Sequence, residues 1–408
     1  MIQPIYRRIR TIALGALTGF SRKLPLWKNE PAKEVFPALL SLKVARPLNI
    51  ENLPEKFARQ FIPKKSIPPR RIFPLQNVYL SGQAVVFKNF RLFVPSLTWL
   101  RDIELFRSAD LFIRQWKKNI VVIPKETPFA LVYDDWSAAN YYHWMIEALP
   151  KILIAQAYDP MVSFIVPGPT PGFIKTSLEL MGIQHVLYLT RHRSEVIKVS
   201  NLLLPELIYY EEEEAEVLSE KYNQPLQAAS MQPREQLDFD PKKELIIAVR
   251  EKLLRHKGLL PRPTGRLYIS RSNQQLRRLA NENDLLPVLE KYGFKIGYFE
   301  GKTLEEQMQL MLETEVFVSL HGSNMVNILF LQQGCRVIEM MNQDYVNDAY
   351  YLLASSLQLP YYSMPCTMTQ APGANADRVA LNDADVSVDI AALELLLKQA
   401  VQGGATML

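Results

Sequence analysis

Residues 303–340, TLEEQMQLMLETEVFVSLHGSNMVNILFLQQGCRVIEM, decide the fold class. Thr303 followed three residues later by Glu306 is a capping box, which marks a helix start. An amphipathic helix is therefore expected over 303–314. Residues 316–320, VFVSL, are a short apolar run of the kind that forms a strand buried on both faces. His321-Gly322-Ser323-Asn324 interrupts it, a short helix is expected over 324–332, and 336–340, RVIEM, reads as the next buried strand. Short apolar strands alternating with amphipathic helices mean a parallel, doubly wound sheet.

The pattern extends in both directions. Upstream come helices over 242–257 and 281–292 (closed by Gly293) and strands over 266–270 and 294–299. Downstream come a helix over 348–357 and a strand at 361–362. Residues 130–199 carry a second α/β pattern: strands at 130–133, 163–166, 185–189 and 196–199, with helices over 141–157 and 173–181. The helix over 141–157 contains Pro150, where a kink is expected. Residues 77–94 read as a small antiparallel meander. Residues 25–75 are proline-rich and basic, read as an extended arm on the surface. An acidic run at 211–216 and a polar stretch at 224–240 mark a linker. The expected organisation is an arm at 1–75, an α/β domain at 76–225, a second at 226–385, and a helix and tail at 386–408.

A chain of 408 residues suits two domains better than one. Its net charge of +5 fits an anionic ligand or a membrane surface without demanding either. No nucleic-acid module is recognisable. Two cysteines, Cys335 and Cys366, exclude a disulfide framework and favour a reducing cytoplasm. Residues 5–24 hold a short apolar stretch between Arg7, Arg8, Arg10 and Arg22, Lys23. It is too short for the roughly 20 residues of a membrane span. Two readings stay open, an interfacial helix on anionic lipid and a helix packed on the protein body.

Ligands of parallel sheets bind beyond the carboxyl ends of the strands. Three strand ends therefore supply candidates. Arg271 follows the first and Arg277 lies close by; paired guanidinium groups suit phosphate oxygens and the charge of a leaving diphosphate. His321, Gly322, Ser323 and Asn324 form the second, where glycine permits close approach and a helix start attracts anions. Glu339 is the third, a carboxylate costly to bury alone and suited to ribose hydroxyls. In the first half, His143 and Glu147 share a helix face, and a histidine beside a carboxylate can act as a base. Asp135 is a further candidate base. Tyr142 and Trp144 either present a sugar platform or pack in the core. The triplets Asp238-Phe239-Asp240 and Asp383-Ala384-Asp385 are weak metal signals, no histidine-ligand cluster exists, and no metal or cofactor is expected.

Four segments, in order, resemble glycosyltransferase family 61, the former DUF563 group, which includes plant xylan-decorating transferases, animal N-acetylglucosaminyltransferases and bacterial capsular polysaccharide proteins. They are 140–150 (NYYHWMIEALP), 267–272 (LYISRS) with Arg277, Arg278, Asn281 and Glu282, 321–327 (HGSNMVN), and 337–339 (VIE). One departure is Asn324, larger than the second small residue usual after the family's His-Gly pair, which alters what can approach the turn. The resemblance implies a GT-B-like fold, two Rossmann-like doubly wound domains facing a cleft, and inverting transfer without an obligatory metal. It places Arg271, Arg277, His321, Gly322, Ser323, Asn324 and Glu339 on the donor side. His143, with Glu147 and Asp135 behind it, then faces an acceptor held with Tyr142 and Trp144. The expected partners are a nucleotide-sugar, UDP-linked, and a glycan hydroxyl in surface or capsular polysaccharide synthesis, in the cytoplasm or on the inner membrane face. Two alternatives stand beside it: a nucleotide-sugar epimerase, and a non-catalytic component of a polysaccharide assembly complex.

Overall fold

The computed structural model describes residues 26–27, 30–37, 39–61, 64–67, 69–89, 91–97, 120–124, 128–191, 195–206, 243–255, 259–370 and 378–402. The acidic run, the polar linker, Asp238-Phe239-Asp240 and residues 5–24 lie outside the described residues. The chain is mixed α/β, with a ten-stranded and a six-stranded sheet and helices. It divides into two compact units. One comprises 1–39, 67–174 and 183–238; the other 40–66, 175–182 and 239–408.

The first unit is built on the long antiparallel pair Arg70–Ser81 and Val196–Pro205. Arg70–Ser81, Val86–Lys88 and Arg91–Phe93 form the expected meander. On its other side Val196–Pro205 begins a parallel array through Phe129–Leu131, Ser163–Gly168 and Val186–Thr190. This sheet is thus mixed, half meander and half parallel, rather than doubly wound throughout. Pro150 stands in the first turn of the Leu149–Tyr158 helix, a position that tolerates proline. Trp144–Ala148 is a widened π-turn in which the Leu149 N–H reaches back five residues to the Trp144 carbonyl. Such turns recur at functional sites.

In the second unit the sheet order is Phe294–Gly297, Gly265–Ile269, Thr314–Leu320, Arg336–Asn342, Tyr361–Met368 and Val386–Val388. All pairings are parallel except the last. Val316, Phe317 and Val318 are fully buried, which stabilises the unit by about 1.5–3 kcal/mol for each side chain. The Leu304–Leu312 helix carries the capping box: Thr303 N–H donates to Glu306 Oε2 at 2.7 Å, and Glu306 N–H to Thr303 Oγ1 at 3.2 Å. After Gly265–Ile269 the chain adds one strand on one side, then crosses to add Thr314–Leu320 on the other. The order therefore reverses between these two strands, and the crevice beyond their carboxyl ends is the natural ligand site.

Residues 44–61 correct the expectation of a surface arm. Phe57 and Phe61 are buried, Phe61 packs edge-on to Tyr351 at 5.1 Å, and Leu48 N–H donates to the Tyr361 carbonyl at 2.8 Å. Two aromatic residues one helical turn apart outweigh the prolines around them, because their apolar area gains more from burial than the segment gains from solvation. Among the described residues no helix is long and apolar enough to cross a membrane.

Candidate functional site

Arg271 stands where the strand order reverses. It is 6% exposed, and its guanidinium lies against Gly322 so closely that a Cβ there would collide with it. Its hydrogen bonds run to backbone carbonyls: Nε to Arg277 at 3.1 Å and Nη2 to Leu276 at 3.5 Å. No described carboxylate forms an ion pair with it. Burial, and after it the neighbouring Arg277 charge, lower its pKa to about 10. The guanidinium is still charged at neutral pH, and the nearby Glu300 charge offsets its desolvation only in part. Arg277 adopts a left-handed backbone, φ 56°, and its nearest carboxylate contact is Asp383 at 3.8 Å. Cations held this way suit an incoming anion.

His321 lies one residue from that contact. Its Nδ1 meets Glu339 Oε1 at 2.5 Å, and the other Glu339 oxygen accepts from the Tyr361 hydroxyl at 2.6 Å. Glu339 is fully buried. Its expected contact with ribose is therefore corrected: both oxygens are occupied by protein donors, and its work is to orient the His321 ring. With Nδ1 protonated toward Glu339, Nε2 is the nitrogen left for a ligand. A small open recess lies here, lined by Arg277, His321, Asn342, Tyr345 and Asn382 among others. Ser323 and Asn324 open the expected short helix, Ser323–Phe330, which is of the tighter 3-10 type. The buried Asn324 Nδ2 has no hydrogen-bond partner among the described residues.

In the first unit, Asn140 caps the helix by accepting from the Tyr142 N–H at 2.9 Å. One turn on, His143 Nδ1 meets Glu147 Oε1 at 2.7 Å, as the i, i+4 spacing predicts. The Trp136 ring stands edge-on to the imidazole, 4.8 Å between centroids. Asp135, proposed from sequence as a base, meets Arg191 Nη2 at 3.0 Å and keeps its side chain half exposed. Tyr142 and Trp144 are 5% and 0% exposed, so the expected sugar platform is corrected: both rings are packed and present no face.

Sequence reasoning gave no role to three residues, Asp134, Tyr350 and Tyr361. Asp134 knots the loop before the helix: its Oδ1 accepts from Trp136 N–H at 3.0 Å and Ser137 N–H at 2.8 Å, and its Oδ2 faces Lys151 Nζ at 3.4 Å. Burial alone would raise its pKa, but Lys151, Ser137 and His143 outweigh it and the net direction is down. Tyr361 was read only as strand, and Tyr350, whose ring lies 5.1 Å from that of His321, only as helix. Asp385 of the second triplet is paired with Arg278 at 2.7 Å, a structural role. The signal for Tyr361 was present in one form: a carboxylate inside an apolar strand requires a donor on a neighbouring strand.

No curated protein sequence matches the chain. The family model described as Glycosyltransferase 61 matches residues 141–338. The match takes in His143, Glu147, Arg271, Arg277 and the turn at 321–324, and stops one residue before Glu339.

Proposed function

Residues 141–338 being a glycosyltransferase family 61 region, we propose that the chain is an inverting, metal-independent glycosyltransferase using a nucleotide-sugar, UDP-linked, as donor. Its two units would be the acceptor and donor halves of a GT-B-like enzyme, with a glycan hydroxyl as acceptor in surface or capsular polysaccharide synthesis at the cytoplasmic face. The observation that supports this most is the buried Arg271 cation, in ion-pair contact with no described carboxylate, at the sheet's switch point.

The acceptor hydroxyl attacks the anomeric carbon in line. His143, with Nδ1 tied to Glu147, takes the hydroxyl proton on Nε2. The bond from the anomeric carbon to the diphosphate breaks, and the released negative charge is met by Arg271, Arg277 and, when the ring carries both protons, the Nε2–H of His321. Arg271 is already in place, so little reorganisation is needed when that charge develops. Glu339 and Glu147 act on substrate only through their histidines.

A thermal-shift screen of UDP, GDP and CDP tests the reading. A ligand that binds only the folded state at a hundred times its Kd stabilises by about 2.7 kcal/mol. One diphosphate should raise the transition of the second unit; absence of a shift from all three overturns the proposal.

A further inference from the structure

Tyr361 lies outside the matched region, yet it completes the support of His321. In the sheet Val337 is opposite Tyr361 and Glu339 opposite Ser363. Side chains two residues apart share a face, so Tyr361 and Glu339 project to the same side. The result is a buried chain of three groups: Tyr361 hydroxyl to Glu339 at 2.6 Å, Glu339 to His321 Nδ1 at 2.5 Å. Burial, followed by the Glu339 charge and hydrogen bond, keeps the phenol far from ionisation. It is therefore a fixed donor. It engages one carboxylate oxygen and so turns the other toward Nδ1–H.

The phenol is itself fastened by a segment some three hundred residues earlier. Leu48 N–H donates to the Tyr361 carbonyl at 2.8 Å. Asn49 brackets Ser363, with Nδ2 donating to its carbonyl at 2.8 Å and Oδ1 accepting from its N–H at 3.1 Å. Phe61 and Tyr351 pack on the Tyr361 ring at 6.4 and 5.7 Å between centroids. Two backbone anchors and two ring contacts leave the hydroxyl little freedom.

We infer that Tyr361, secured by the strap of residues 44–61, is a positioning residue that fixes the tautomer and direction of His321 through Glu339. The inference rests on the proposed role of His321 at the leaving diphosphate, but its structural half is independent of that role. Nε2 is then held as an acceptor in the neutral ring and as an outward donor in the charged one. The strap makes the donor site depend on sequence far from the family segments.

The test is Tyr361→Phe, which retains the packed ring and removes only the hydroxyl. The second variant is Asn49→Ala, which leaves the tyrosine intact and releases the strand edge. The chain has five histidines, so nitrogen-15 histidine spectra can be assigned with His321→Gln as reference. In the wild type the His321 ring should be a single Nδ1–H tautomer. In Tyr361→Phe it should become a mixture, kcat for transfer should fall at least tenfold, and donor KM should stay within twofold. Asn49→Ala should give a smaller change in the same direction. An unchanged tautomer in Tyr361→Phe overturns the inference, as does a loss in which kcat and KM shift together with unfolding. If the wild type neither binds a diphosphate nor transfers sugar, the function fails instead, and the ring spectrum still decides the positioning.

Discussion

Gly322→Ala should damage the second unit through Arg271, and a double-mutant cycle can measure how much. A Cβ on Gly322 would come within 2.7 Å of Arg271 Cζ and 3.3 Å of Nη2. The guanidinium cannot turn aside freely, because Nε is bound to the Arg277 carbonyl at 3.1 Å and Gly322 walls one side. Displacing it forfeits a charge-assisted hydrogen bond, about 1.5–3 kcal/mol. The added methyl in a packed site costs about 1–3 kcal/mol if nothing moves. Since one relieves the other, a loss of roughly 1–3 kcal/mol is expected, or about 0.5–1.5 M in urea midpoint at roughly 2 kcal/mol per molar. In an Arg271→Ala background the collision is gone, and the cost should fall to that of a side chain at the Gly322 φ of 157°. The coupling should then be about 2 kcal/mol. The second unit contains no tryptophan, so its unfolding is followed by far-ultraviolet circular dichroism while fluorescence reports the first. Equal cost of Gly322→Ala in both backgrounds, within about 0.5 kcal/mol, would refute the contact.

His143→Gln should lower transfer about 10²–10⁴-fold with diphosphate affinity unchanged; steady-state kinetics beside calorimetry check it, and an undiminished kcat would assign the base elsewhere. Asp134 supplies a pH dependence. Its folded pKa lies below the ordinary 3.8, so its stabilisation is complete above that value and is lost as pH falls through the folded pKa. Acid unfolding followed by tryptophan fluorescence, with Trp136 bonded to this carboxylate, should be flattened below about pH 4 in Asp134→Asn. An unchanged acid limb would remove Asp134 from the account.

The parallel sheet was legible because buried strands carry few side-chain choices: 316–320 and 336–340 could face only a core. Topology then brought Arg271 to Gly322, since both follow strands that flank the switch point. His143 with Glu147 was legible from helical spacing alone. What was not legible depends on partners distant in sequence. Glu339 was read toward a ribose because its true neighbours, His321 just past one adjacent strand and Tyr361 on the other, lie 18 and 22 residues away. The Tyr361–Met368 strand was read as two residues long because Ser363 and Pro365 hide its continuation. Prolines likewise obscured Phe57 and Phe61 in the strap. Trp144 was ambiguous in principle: an aromatic ring on a helix serves equally as a sugar platform or as core, and only its burial decides.

Calorimetric titration of UDP, GDP and CDP into the wild-type chain and into Arg271→Met tests most directly whether the buried cation exists to hold a diphosphate. The account expects one of the three to bind the wild type and to lose at least tenfold in affinity, about 1.4 kcal/mol, in the variant, which keeps a long side chain against Gly322 without the charge. Equal affinity in both proteins, or no heat from any of the three with the wild type, would contradict it.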